Sequence, residues 1–84
     1  MPEIARFYGM VIKMFFRGTE HEPPHIHVIY GDYAGLIDLK TGEMLEGDLP
    51  SRAYRLIKEW YETHKGELLD MWKSQRIQKL PPLE

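Results

Sequence analysis

Apolar residues in the first half of the chain come in short runs with turn-formers between them. Ile4 to Phe7 closes before Gly9, and Met10 to Phe16 puts Met10, Ile12, Met14 and Phe16 on one face of a strand. Gly18 to Pro24 is a polar loop whose prolines remove backbone donors and hold Glu22 and Pro23 extended. His25 to Tyr30 and Tyr33 to Leu39 are two further strands joined at Gly31-Asp32, a glycine-led pair suited to a type II′ turn. Thr41-Gly42 turns the chain into a short strand around Glu43 to Leu45. The two-residue loop fixes a register in which Tyr30 faces Tyr33, Val28 faces Gly35, Ile26 faces Ile37 and His25 faces Asp38. Alternation then assigns Ile26, Val28, Tyr30, Tyr33, Ile37 and Leu39 to the core. His25, His27, Ile29, Leu36 and Asp38 share the opposite face.

The period changes after residue 48. Leu49, Ala53, Leu56, Ile57, Trp60, Tyr61 and His64 recur at helical spacing, with Arg52, Arg55, Lys58, Glu59 and Glu62 on the wet side. Pro50 suits a first helical turn, and Asp48 sits near its positive end. Lys65-Gly66 is a candidate stop before a second helix, Glu67 to Gln75, with Leu68, Leu69 and Trp72 inward. One continuous helix is the alternative, because a mid-helix glycine costs only about 1 kcal/mol against alanine. Lys79-Leu80-Pro81-Pro82-Leu83 cannot be helical and is expected as an extended strap or a loose end. The order predicts an α+β fold: a small antiparallel sheet of four or five strands followed by one or two C-terminal helices packed on one face. One domain is expected over 1–84, with a sheet half at 1–48, a helical half at 49–76 and a tail at 77–84.

Composition narrows the function classes. With 84 residues, 43% hydrophobic and 12% aromatic, the chain supports one modest globular core. It has no cysteine, which excludes disulfides, thiol catalysis and Cys-ligated zinc. No apolar run is long enough to span a membrane and Met1-Pro2-Glu3 does not resemble a secretion signal, so a cytoplasmic protein without membrane partners is expected. The formal charge of -2 divides unevenly: residues 1–49 carry four bases and eight acids, residues 50–84 seven bases and five acids. Autonomous nucleic-acid binding usually needs a strongly basic domain, so Arg52, Arg55 and Lys58 read first as a solvated helix face.

His25 and His27 are the sharpest chemical feature. On a strand, side chains two apart point the same way, about 7 Å from each other. Asp38, opposite His25, is an available oxygen donor, so His25, His27 and Asp38 form a candidate metal set, although zinc asks for three or four ligands. His21 on the loop is a further donor, and His64 only if the helix end reaches that edge. The same two imidazoles are the candidate catalytic pair for RNA cleavage as general base and acid, with Lys13 or Arg17 meeting the phosphate. Arg52 and Arg55 are the other candidate phosphate contacts. The plainer reading makes both histidines polar residues of an outer sheet face, His25 donating to Asp38. Histidine-triad chemistry is unsupported, because the third alternating position is Ile29. Trp60 and Trp72 lie on the apolar stripe and read as core. Val11, Phe15, Ile29 and Leu36 give the outer face an apolar patch, a candidate protein-binding surface unless the C-terminal strap covers it.

The run Pro23-Pro24-His25-Ile26-His27 carries a family resemblance. So do Met1-Pro2-Glu3-Ile4, Ile12-Lys13-Met14-Phe15-Phe16, Thr41-Gly42-Glu43, Leu45-Glu46-Gly47-Asp48-Leu49-Pro50, and Trp60, His64, Glu67-Leu68-Leu69, Trp72 and Leu80-Pro81-Pro82-Leu83. Together they resemble the small prokaryotic domain-of-unknown-function family 4160 over nearly the whole chain. The resemblance implies a β-rich sheet with C-terminal helices and no assigned catalytic residues or cofactor. It also implies two-gene modules of the toxin–antitoxin type. The expectation is therefore an interaction module that binds a protein partner or a second copy of itself. A ribonuclease or phosphoesterase using His25 and His27 with Asp38 as orienter, with or without a metal, is the rival, and a DNA-binding regulator the third reading.

Overall fold

The computed structural model describes residues 3–14 and 24–83. Five strands, β1 (Glu3–Phe7), β2 (Met10–Lys13), β3 (His25–Tyr30), β4 (Tyr33–Asp38) and β5 (Met44–Asp48), precede one helix, α1 (Ser51–Ser74). The strands form one sheet in sequence order, and every neighbouring pair is antiparallel. This is the expected α+β arrangement. Phe15, Phe16, Arg17 and the loop carrying His21 lie outside the described residues. Met14, which follows directly on β2, is buried.

The β3–β4 register is the one the turn dictates: Tyr30 pairs with Tyr33, Val28 with Gly35, Ile26 with Ile37 and His25 with Asp38. Ile26, Val28, Ile37 and Leu39 are fully buried, together with Met10 and Ile12 of β2. Tyr33 departs from the core assignment. It sits beside the turn of the hairpin, 43% exposed, and its ring stacks on half-buried Tyr30 at 6.4 Å.

β5 runs to Asp48, three residues past the expected end. Glu46-Gly47-Asp48 reads as loop in composition, yet it pairs with Leu36, Gly35 and Ala34. Gly47 makes this pairing sterically feasible. Its φ is +90°, and a Cβ there would lie 2.1 Å from the Ala34 carbonyl oxygen. A bulge between Leu36 and Ile37 leaves Leu45 as the extra residue, 42% exposed.

The helical stripe packs as its spacing predicts, with Ala53, Ile57, Trp60, Tyr61, His64, Leu68 and Met71 buried. Leu69 and Trp72, expected inward, are only half-buried. There is one helix rather than two, and its irregularity falls at His64 (φ -113°, ψ 18°), not at Gly66. Thr63 precedes His64. Its hydroxyl donates to the Glu59 carbonyl at 3.2 Å, a back-bond of the kind that bends helices. The bend is held by His64 Nδ1, 2.7 Å from Glu67 Oε1, and by the His64 ring on Trp60 at 5.1 Å. Gln75 closes the helix in the left-handed conformation, its N–H donating to the Met71 carbonyl.

Two tyrosines tie α1 to the β4–β5 turn: Tyr54 donates to the Gly42 carbonyl and Tyr61 to the Leu39 carbonyl, each at 2.7 Å. The tail is an ordered extended strap. Leu80 N–H donates to the Ile4 carbonyl at 3.0 Å, and Trp60 Nε1 donates to the Pro81 carbonyl at 2.8 Å. Leu80 is buried, so the strap closes the β1 edge and the Trp60 side of the core rather than the face turned away from the helix.

Candidate functional site

The pairing register lays out the face opposite α1 row by row. One row carries Arg6, Val11, Ile29, Ala34 and Asp48, and the next carries Lys13, His27, Leu36 and Glu46. His25 and Asp38 form a third at one end. Val11, Ile29 and Leu36 are half-buried and Ala34 is exposed. Across β3, β4 and β5 this face forms a shallow groove of about 360 Å³, lined by His27, Ile29, Ala34, Leu36, Glu46 and Gly47 among others. Neither α1 nor the strap contributes a lining residue. Three of the four apolar positions expected to bind protein therefore share one surface; the fourth, Phe15, lies outside the described residues. The face is polarised, with Lys13 on β2 and Glu46 and Asp48 on β5.

The histidines sit at the edge of this surface. Their ring centroids are 5.2 Å apart, closer than strand spacing alone requires. His27 is half-buried and pairs in register with Lys13. His25 departs from the expected open position. It is 8% exposed, and Trp72 lies against it at 5.2 Å between ring centroids. Trp72, expected in the core, thus packs on His25 because the helix continues past Gly66 far enough to reach the start of β3.

Asp38 does not complete a metal set. Its Oδ1 accepts the Lys40 N–H at 2.7 Å and the Thr41 N–H at 3.4 Å, which closes the β4–β5 turn. Among the described residues no three His, Asp or Glu side chains converge to hold a metal ion. The remaining phosphate candidates separate. Arg52 lines a hollow with Tyr8 and Tyr30, whereas Arg55 lines another with Tyr54, Lys58, Glu59 and Glu62. Arg17 and His21 lie outside the described residues, and His64 is turned to Glu67 and Trp60.

A family profile described as a domain of unknown function (DUF4160) matches residues 9–73, from the β1–β2 turn almost to the end of α1. The chain belongs to this family. The matched stretch contains His25, His27 and the outer-face rows of β2 to β5, and leaves β1 and the strap outside. Searches of curated proteins and of solved structures return no match. No helix among the described residues is long and apolar enough to cross a membrane.

Proposed function

We propose that this DUF4160 chain is a protein-interaction module, one component of a two-gene, toxin–antitoxin-like system, and that the sheet face opposite α1 receives the partner protein. The supporting observation is the groove along Ile29, Ala34 and Leu36, to which neither the helix nor the strap contributes. Burying such aliphatic side chains contributes about 25 cal/mol per Å² of apolar surface removed from water. The charged rim, basic at Lys13 and acidic at Glu46 and Asp48, sets orientation and encounter rate more than affinity. A partner with an apolar centre and the reverse charge polarity fits this face.

Ile29→Glu and Leu36→Lys test the reading. In co-expression with the product of the adjacent gene, the wild-type chain is expected to elute as a complex, and each variant to elute alone with its melting temperature nearly unchanged. A wild-type chain that leaves the neighbouring product unbound contradicts the proposal.

A second reading is favoured by one specific arrangement, the two imidazoles 5.2 Å apart with Lys13 beside His27. On that reading the chain is a ribonuclease or phosphoesterase in which His27, the more accessible of the two, takes the substrate proton. His27→Ala then abolishes cleavage of single-stranded RNA, and Asp38→Asn, which keeps an oxygen for the turn, leaves it intact. Cleavage unaffected by His27→Ala removes this alternative.

A further inference from the structure

Away from the groove, on the helix side of the sheet, a hollow of about 220 Å³ lies between the β1–β2 turn, the end of β3 and the start of α1. Tyr8 and Tyr30 supply aromatic surface, Met10, Ala53 and Leu56 an apolar floor, and Arg52 one guanidinium. Among the described residues no carboxylate lines it. The volume falls short of the roughly 300–1,000 Å³ of drug-sized sites, so it encloses one ring system and leaves the rest of a ligand at its rim, where Arg52 stands.

The turn beside it is built unusually. Tyr8 and Gly9 both have positive φ (50° and 79°), a two-residue hairpin geometry that ordinarily selects Asn-Gly. A tyrosine there strains the backbone, and its side chain is 56% exposed, with its ring edge-on to Phe7 at 6.0 Å. Gly9 leaves room for Tyr30, since a Cβ at Gly9 would come within 3.4 Å of the Tyr30 ring. Tyr33 stacks on Tyr30.

From this we infer that the hollow binds a nucleoside monophosphate, its base against Tyr8 and Tyr30 and its phosphate on Arg52. Aromatic side chains accept any base by its π-face, and a guanidinium matches the phosphate oxygens with two parallel donors. The apolar floor disfavours a fully hydrated ion, and no carboxylate among the described lining residues opposes the anion.

The test is an NMR titration of the full chain with AMP, adenosine and inorganic phosphate, for the wild type, Tyr8→Asn and Arg52→Gln. Asparagine adopts the left-handed backbone more readily than tyrosine, so Tyr8→Asn keeps the hairpin, and an unchanged or raised melting temperature checks it. AMP is expected to shift the Met10, Tyr30 and Leu56 signals and to bind more tightly than adenosine or phosphate. Arg52→Gln weakens AMP by about tenfold while adenosine stays within about twofold, as loss of a charge-assisted bond requires. Tyr8→Asn weakens both by about fivefold or more. No shift of those signals up to about 10 mM AMP overturns the inference. So does AMP binding that ignores both substitutions, or phosphate alone binding as well as AMP.

Discussion

Tyr61 shows how one side chain couples the helix to the sheet. Its hydroxyl is buried and donates to the Leu39 carbonyl. Burial first, and the nearby Asp38 and Glu62 charges next, raise its pKa above the ordinary tyrosine value. The folded state therefore holds the proton more tightly than the unfolded chain. That contribution is complete below the unfolded value of about 10 and is lost as pH rises through the folded value. Tyr61→Phe is expected to cost about 1 kcal/mol at pH 7 through the lost hydrogen bond. It should also flatten the fall in melting temperature above pH 10, which thermal melts across pH 7–11 would record. Asp38 is the neighbouring lesson in legibility. The register places it opposite His25, and that pairing is readable from the Gly31-Asp32 turn. Which backbone amides its carboxylate serves depends on how the Lys40–Gly42 backbone folds back, and no strand periodicity encodes that.

The behaviour of the elements turns on two glycines with opposite surroundings. At Gly47 a Cβ meets the Ala34 carbonyl oxygen at 2.1 Å on a backbone of φ +90°, so Gly47→Ala should destabilise β5 by about 2 kcal/mol or more, read by urea denaturation. Gly66 is exposed, lies within α1 and has nothing near its Cβ position. Gly66→Ala should raise stability by up to about 1 kcal/mol in the same assay. Lys65-Gly66 resembles a helix stop because Lys-Gly is a common C-terminal signal, but the continuing stripe of Leu68 and Met71 outweighs its modest cost. The bend at His64 is not legible in the apolar stripe, which runs through it without a break. Similarly, the polar composition of Glu46-Gly47-Asp48 hides the continuation of β5, whose pairing rests on one close backbone approach. The strap follows the same logic at the other edge of the sheet. Leu80→Ala should cost about 2 kcal/mol by opening the contact between the strap and the core.

At the level of the whole molecule, the helix, the strap and one side of the sheet enclose a single core, and the other side keeps its aliphatic rows. Alternation along β3 is what made this legible. Ile26 and Val28 are fully buried and Ile29 faces away with Leu36, as the sequence pattern requires. The exception is the His25 corner, where Trp72 arrives from the continuous helix and covers a residue expected to be open. That contact joins residues 47 apart in sequence and follows from helix length, which the ambiguity at Gly66 left undecided. The division of the sheet into a core side and a docking side is the central claim. Its most direct test is amide hydrogen–deuterium exchange of this chain with and without the product of the adjacent gene. Binding is expected to slow exchange in β3, β4 and β5 around Ile29, Leu36 and Glu46 while α1 exchanges as before. Protection confined to α1, or none anywhere at saturating partner, would contradict it.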